Sequence, residues 1–115
     1  GFLDGVVLTG GEPLVGADLR EFVREIKKLG FLVKLDTNGT VPEGLERLLQ
    51  EGLVDYVALD LKAPFPRYAE YTGTPQAAEA LVGKVQTTLA LLRASAPDYE
   101  CRTTVAPGLG PEDLL

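Results

Sequence analysis

FLVKLDTNGTVPEGLERLLQEGLVDYVALD, residues 31–60, places one helical segment between two short apolar runs. The runs 31–36 and 54–60 have the length and the Val and Leu content of buried strands. Between them, Pro42 suits a first helical turn, Gly52 suits a helix end, and the helical apolar stripe is Leu45, Leu48 and Leu49. Parallel strands need a connection of about a dozen residues or more, so this unit predicts two parallel strands joined by a helix.

The same alternation continues on both sides of this unit. Before it, the apolar run of residues 2–9 predicts a buried strand. A helix follows, with Asp18 as its expected N-cap and Gly30 at its end. Its apolar positions are Leu19, Phe22, Val23, Ile26 and Leu29. After it, a loop through Gly73 leads to a long helix from about Ala77 whose inward residues should be Leu81, Val82, Val85, Leu89 and Leu92. Residues 99–105 form the last strand. The order βαβαβαβ is an α/β fold, either an open doubly wound sheet or part of a β/α barrel.

The composition is typical of one globular domain. The chain has 115 residues, of which 45% are hydrophobic and 24% are charged. Its formal net charge of -6 disfavours nucleic-acid binding, which requires a basic surface. No apolar run approaches the roughly 20 residues that span a bilayer, and no signal-peptide pattern opens the chain. We therefore expect a cytoplasmic protein that binds neither nucleic acid nor membrane.

Cysteine, histidine and methionine are scarce or missing in this chain. With one cysteine, Cys101, and no histidine, the chain contains neither an internal disulfide nor a four-cysteine metal site. We expect Cys101 to be a small buried core residue, because free cysteine is among the most buried residue types. Methionine is absent even at position 1, so we expect Gly1 not to be the native start and the chain to be a fragment.

Polar residues and glycines follow the carboxyl end of every predicted strand. They are Thr9, Gly10, Gly11 and Glu12; Asp36, Thr37 and Asn38; Asp60 and Lys62; and Arg102, Thr103 and Thr104 with the turn at Pro107 and Gly108. In both candidate architectures ligands bind at this edge of the sheet. Four strands that deliver polar groups to one rim therefore predict a binding site.

Each of these groups also has a purely structural interpretation. Residues 10–13 could form a plain turn, and residues 36–39 a turn held by side-chain hydrogen bonds of Asp or Asn. Asp60 and Lys62 lie on the same side of a strand, either as a local ion pair or as an acceptor for ribose hydroxyls and a cation for a carboxylate. Arg102 is either the partner of Glu100 or a cation of the site.

Four segments, in order, resemble radical S-adenosylmethionine (radical SAM) enzymes. VVLTGGEP, residues 6–13, resembles the Gly-Gly-Glu motif that ends the second strand of these enzymes. KLDTNGT (34–40) and DYVALDLKAP (55–64) are similar to segments of the branch that activates glycyl-radical enzymes. RTTVAPGL (102–109) resembles the activating proteins of anaerobic ribonucleoside-triphosphate reductase, which are related to pyruvate formate-lyase activating enzyme.

The resemblance implies an incomplete, TIM-like barrel of about six parallel β/α units, of which residues 1–115 would supply the second to fifth, or about four strands. It also implies S-adenosylmethionine as a cofactor. The implied contacts are Gly10, Gly11 and Glu12 with the methionyl ammonium, Asp36 and Asn38 beside the methionyl and ribose groups, Asp60 and Lys62 with the ribose and the carboxylate, and Val105 with the turn through Gly108 on the adenine side.

The implied chemistry belongs to the cofactors. A reduced [4Fe–4S] cluster, supplied with electrons by flavodoxin or ferredoxin, would cleave the sulfonium, and the 5′-deoxyadenosyl radical would install a glycyl radical on a partner such as anaerobic ribonucleotide reductase. The cluster needs three cysteines in a Cys-x3-Cys-x2-Cys loop after the first strand. Cys101 alone cannot replace them. We therefore expect the amino-terminal cluster-binding unit to be missing and this polypeptide alone to be inactive.

The sequence is compatible with two other functions. A non-catalytic nucleoside-binding or regulatory domain could keep the cofactor pocket without the redox centre. A β/α-barrel lyase could use Lys62 as a Schiff-base nucleophile, but Asp60 beside it would keep the amine protonated. Open edges on the first and last strands also predict that the isolated chain either associates with itself or is ordered only in its full-length context.

Overall fold

Four parallel strands form one sheet in the order β1-β2-β3-β4. The computed structural model describes residues 5–9, 12–15, 19–62 and 64–103. The strands are β1 (Gly5–Leu8), β2 (Leu32–Thr37), β3 (Tyr56–Leu61) and β4 (Tyr99–Thr103). Sequential strands are neighbours and every connection contains a helix, so the predicted βαβαβαβ order of an α/β fold is confirmed.

Within the described residues, four α-helices connect the strands: α1 (Arg20–Lys28), α2 (Pro42–Gln50), α3 (Ala69–Thr72) and α4 (Pro75–Ser95). Helix α4 begins two residues before the expected Ala77, because the Thr74 hydroxyl accepts a hydrogen bond from the Ala77 N–H and caps the helix. The segment before it was expected to be a loop. It contains α3 and a single 3₁₀ turn at Phe65–Arg67.

The hydrophobic core lies between the helices and one face of the sheet, the helix face. Alternate strand residues point into this core, among them Val33, Leu35, Val57 and Leu59. Helices α1, α2 and α4 cover them with the buried side chains of Val23, Ile26, Leu45, Leu48 and Leu92. The opposite face, the far face, carries Lys34, Asp36, Ala58, Asp60, Glu100 and Arg102, which follow from the alternation and the strand register.

Two positions of the predicted first helix differ from the prediction. Phe22 and Leu29 were assigned to the apolar face of the helix, yet their exposed fractions are 57% and 74%. Only a narrow stripe of α1, with Val23 and Ile26, contacts the sheet. Phe22 and Leu29 are seven residues apart and lie beside that stripe, where no described element covers them.

The prediction that Cys101 is buried is also wrong, since its side chain is exposed. Cys101 pairs in register with Leu59 and so lies on the helix face. Strand β4 is the last strand of the described sheet, and no described helix follows it to cover Cys101. Burial had been inferred from residue type alone, which says nothing about the strand's position in the sheet.

Some expectations lie outside the described residues, namely the Asp18 cap and the outer ends of the first and last predicted strands. Among the helices that the structure does describe, none is long and apolar enough to cross a membrane. The expected cytoplasmic location stays a prediction.

Candidate functional site

A polar cavity of about 410 Å³ lies at the carboxyl ends of the strands. Its described lining comes from all four strand ends and consists of Thr9, Glu12, Pro13, Asp36, Thr37, Asn38, Asp60, Lys62 and Arg102. Parallel strands place their carboxyl ends at one edge, which is why residues distant in sequence meet there. The site predicted from four separate strand ends thus has a common location.

Five of the eight predicted cofactor-binding residues line this cavity: Glu12, Asp36, Asn38, Asp60 and Lys62. The other three, Gly10, Gly11 and Val105, lie outside the described residues. The site prediction requires Gly11, Asp36, Asp60 and Lys62 to converge; the last three line this cavity, and Gly11 lies outside the described residues.

The loop of residues 37–40 is tied to Glu12. The Thr37 hydroxyl donates a hydrogen bond to Glu12 Oε1 at 2.5 Å. The Asn38 N–H donates to the same oxygen at 2.8 Å. The Thr37 hydroxyl oxygen also accepts the Gly39 N–H at 3.1 Å. Glu12 therefore fixes the loop after β2 to the loop after β1, a role that its place in a Gly-Gly-Glu-Pro motif did not suggest.

Asn38 forms the expected turn and also lies at the cavity wall. Its Oδ1 accepts hydrogen bonds from the Thr40 N–H at 3.0 Å and the Thr40 hydroxyl at 2.6 Å, which is the expected side-chain turn. The same residue lines the cavity. Within the described part of the chain, the Nδ2 group of Asn38 has no hydrogen-bond acceptor, so it is available to donate to a ligand.

Arg102 is a cation of the cavity. Its guanidinium donates to Asp36 Oδ1 at 2.9 Å, and the alternative partner Glu100 instead faces Lys34 at 3.7 Å. Both ion pairs join β2 to β4 across β3. In the strand register the two ion pairs lie on either side of Ala58 of β3. The small side chain of Ala58 leaves room for these long side chains, and Ala58 is fully buried.

Asp60 and Lys62 are not a local ion pair. Neither side chain forms a salt bridge with any other described residue. The backbone N–H of Lys62 donates to the Tyr68 hydroxyl at 3.2 Å, and the buried Tyr68 ring fixes this part of the loop. The Lys62 side chain is exposed and lies among polar groups. A Schiff-base lysine needs a buried site that lowers its pKa, so this position does not favour the lyase alternative.

Below the cavity the far face holds a perturbed tyrosine. Burial and the adjacent Glu100 carboxylate raise the pKa of Tyr56 above its ordinary value. The Lys34 ammonium lies 5.3 Å from the Tyr56 ring centre, within cation–π range. Tyr56 therefore stays a neutral phenol.

The lining suits a small zwitterionic ligand. Three carboxylates, those of Glu12, Asp36 and Asp60, can accept hydrogen bonds from ammonium and hydroxyl groups, and the cationic Lys62 and Arg102 can bind a carboxylate. The methionyl and ribose groups of S-adenosylmethionine present these same functions.

An iron–sulfur cluster does not fit the described residues. Cys101 lies on the helix face, whereas its neighbour Arg102 lines the cavity from the far face. Although the side chain is exposed, partial burial of the thiol raises the pKa of Cys101, which opposes formation of the thiolate ligand. Nor do the described residues hold any group of three or more His, Cys, Asp or Glu arranged for a metal ion.

Sequence reasoning missed two features of this site. Pro13 lines the cavity, and only its position after the Gly-Gly-Glu motif could have signalled this. Thr88 of α4 is buried and donates to the Gly39 carbonyl oxygen at 2.8 Å. A threonine within an apolar helix stripe was the available signal for it.

Comparisons with known proteins agree with this geometry. Residues 1–113 match the profile of the Radical SAM superfamily. A candidate glycyl-radical enzyme activating enzyme of Methanocaldococcus jannaschii is 39% identical over 113 residues, which are 97% of this chain and 47% of that protein. A 7-carboxy-7-deazaguanine synthase of Methanopyrus kandleri is 44% identical over 62 residues, 51% of this chain and 23% of that protein. This chain thus spans about half the length of the first relative and less of the second.

The fold has a solved counterpart. The crystal structure of an archaeal TYW1 superposes with a TM-score of 0.69 at 23% identity, over 91% of this chain and 34% of that one. The match covers the four parallel strands that alternate with helices. Of the two architectures left open by the sequence, the partial barrel of this family is therefore confirmed.

Proposed function

This chain belongs to the radical SAM superfamily, and we propose that it supplies the S-adenosylmethionine-binding part of an enzyme that activates a glycyl-radical partner. The observation that carries the proposal is the cavity at the strand ends, where three carboxylates and two cations converge. We further propose that residues 1–115 are the second to fifth β/α units of a longer protein whose amino-terminal unit binds the cluster.

Each residue of the site has a proposed part in binding. The loop through Gly10, Gly11 and Glu12 would hold the methionyl ammonium, because a carboxylate accepts about four hydrogen bonds and Glu12 uses only part of this capacity on Thr37 and Asn38. Asp36 and Asn38 would lie beside the methionyl and ribose groups, Asp60 would accept from ribose hydroxyls, Lys62 and Arg102 would bind the carboxylate, and Val105 would line the adenine side.

The chain's own residues would bind and orient the cofactor. When bound, S-adenosylmethionine and a reduced [4Fe–4S] cluster supply the one-electron cleavage that yields a 5′-deoxyadenosyl radical. The cluster ligands would come from outside this chain, since Cys101 is unsuited to the role. This polypeptide alone would therefore be inactive.

The proposed partner is a glycyl-radical enzyme, of which anaerobic ribonucleotide reductase is the first candidate, with flavodoxin or ferredoxin as electron donor. Support comes from the assigned name of the Methanocaldococcus jannaschii relative and from residues 102–109, whose sequence resembles the reductase-activating group. An electron paramagnetic resonance doublet of a glycyl radical, formed on the reductase only with the full-length protein and reductant, would support this partner. Its absence, with radical formation on another glycyl-radical enzyme, would exclude the reductase.

Binding measurements test the cofactor site directly. In the full-length protein, Lys62→Met and Asp60→Asn should each raise the Kd for S-adenosylmethionine by about 10–100-fold, the usual effect of losing a hydrogen bond to a charged group. Lys84→Met, which removes an exposed lysine on α4, is the matched control and should leave the Kd unchanged. Wild-type Kd values for both site variants would overturn the proposal.

A non-catalytic nucleoside-binding domain is the second candidate, favoured by the presence of a single, poorly placed cysteine. Both candidates bind S-adenosylmethionine, so the discriminating measurement is its reductive cleavage by the full-length protein. Release of 5′-deoxyadenosine under reducing conditions supports the enzyme. Binding without cleavage, in a protein that carries no cluster cysteines upstream, supports the binding domain.

A further inference from the structure

Thr88 is a polar residue on the buried face of α4. Its neighbours along that face, Val85 and Leu92, are fully buried and apolar, and Thr88 is itself 1% exposed. Its hydroxyl donates to the Gly39 carbonyl oxygen at 2.8 Å, across 49 residues of sequence. The adjacent Thr87 donates to the Gly83 carbonyl oxygen of its own helix at 3.0 Å, as threonines in helices commonly do. Thr88 is therefore directed to another element.

Gly39 is held in a narrow space beside Thr88. Its φ of +81° is a left-handed conformation that favours glycine. A Cβ at this position would lie 2.8 Å from Leu59 Cδ1 and 3.4 Å from Val85 Cγ2, so β3 and α4 both press against it. The carbonyl group of such a buried residue requires a donor from the protein, and Thr88 provides it.

The hydrogen bond to Gly39 is continuous with the cavity. The Gly39 N–H donates to the Thr37 hydroxyl oxygen at 3.1 Å, and that hydroxyl donates to the Glu12 carboxylate. The Asn38 N–H donates to Glu12 as well. The loop 37–40 is thus held by Glu12 on the cavity side and by Thr88 from behind the sheet.

We propose that Thr88 is a positioning residue for the cofactor pocket. It does not line the cavity, but its hydroxyl holds the loop in the form that keeps Glu12 and Asn38 at the cavity wall. The proposal rests on the proposed function only in naming S-adenosylmethionine as the ligand. Removing the hydroxyl would leave the Gly39 carbonyl oxygen without its donor, and the loop would shift to find another.

The experiment compares Thr88→Val with Thr87→Val and Thr88→Ser in the full-length protein. Thr88→Val keeps the side-chain shape without the hydroxyl. We expect it to raise the Kd for S-adenosylmethionine about tenfold and to speed amide hydrogen exchange of Gly39 and Thr40, in keeping with the loss of a donor to a buried acceptor. Thr88→Ser keeps the hydroxyl and should have the wild-type Kd and the wild-type exchange rates. Thr87→Val should also leave the Kd and the exchange rates unchanged.

Wild-type exchange at Gly39 in Thr88→Val, or equal effects of the two valine variants, would overturn the proposal. If Thr88→Val does not fold, Thr88→Ala removes the hydroxyl together with the methyl group and carries the same expected result. Failure of the wild type to bind S-adenosylmethionine would refute the proposed function alone. Faster exchange at Gly39 without a change in binding would refute the link from Thr88 to the pocket.

Discussion

The guanidinium of Arg102 lies 2.9 Å from the carboxylate of Asp36, so that the last strand is joined to the second across the strand between them. Both side chains line the cavity. The pair neutralises one of three carboxylates there and leaves Glu12 and Asp60 to act on a cationic ligand. The side chains are 44% and 26% exposed, so solvent screens the attraction.

Replacing Arg102 should therefore affect binding more than stability. Arg102→Met should lower the free energy of unfolding by less than about 1 kcal/mol, as for other exposed ion pairs. It should still weaken S-adenosylmethionine binding, because the cavity loses one of two cations for the carboxylate. Denaturant unfolding and equilibrium binding measure the two effects, with Arg93→Met on α4 as control. A loss of stability well above 1 kcal/mol would show that the pair is structural.

Glu12→Gln should loosen the loop 37–40. The carboxylate accepts from Thr37 and Asn38, and hydrogen bonds to charged groups are stronger than neutral ones. We expect the free energy of unfolding to fall by about 1–2 kcal/mol. Glu79→Gln, an exposed change on α4, is the control in the same denaturant titration. Equal stabilities of the two variants would mean that the Glu12 contacts contribute nothing net.

Comparing Gly39→Ala with Gly52→Ala separates two costs to stability: the strain of a left-handed backbone and the steric clash of an added methyl group. Both glycines have positive φ, +81° and +67°, but a Cβ at Gly52 meets nothing within 4 Å. Each substitution should cost about 1–2 kcal/mol for the left-handed backbone. Gly39→Ala should cost about 1–3 kcal/mol more, because its methyl group meets the buried Leu59. Thermal or denaturant unfolding gives the difference, and identical losses would contradict the close packing of Gly39.

Cys101 should react slowly with alkylating agents. Burial raises the pKa of its thiol, and the positive charge of Arg93 partly opposes that rise. Since the thiolate is the reactive form, the rate of reaction with iodoacetamide should rise with pH at higher values than for cysteine in an unfolded peptide. Arg93→Gln should move this profile further upward, whereas Arg47→Gln should not. A profile below that of the peptide would contradict the direction of the shift.

The isolated chain of 115 residues should associate with itself. Among the residues that the structure describes, five large apolar side chains are exposed: Val7, Val15, Phe22, Leu29 and Leu32. Strands β1 and β4 are the edges of the described sheet and present unpaired backbone groups. Phe22→Gln combined with Leu29→Gln should reduce association in sedimentation experiments, and Ala90→Gln should not. A monodisperse wild-type monomer would contradict this prediction.

The succession of strands and helices along the chain, and the edge of the sheet at which polar residues collect, could be predicted from the sequence because both follow from local patterns. Apolar runs of strand length separated by helical periodicity indicated β1 to β4, and parallel pairing then placed Asp36, Asp60 and Lys62 at one edge. The exposure of Phe22 and Cys101 could not be predicted. Periodicity and residue type indicate which side chains prefer burial, but not whether a neighbouring element is present to bury them.

The sequence by itself determined which charges reach the cavity, and only the tertiary structure decided how they pair. Glu100 and Asp36 were both available to Arg102, and the register across Ala58 selected Asp36. The bond from Thr88 to Gly39 likewise depends on how α4 lies against the loop after β2. Ion pairs and buried hydrogen bonds require approach within about 3–4 Å, and such distances between segments far apart in the chain are fixed by packing and not by local sequence.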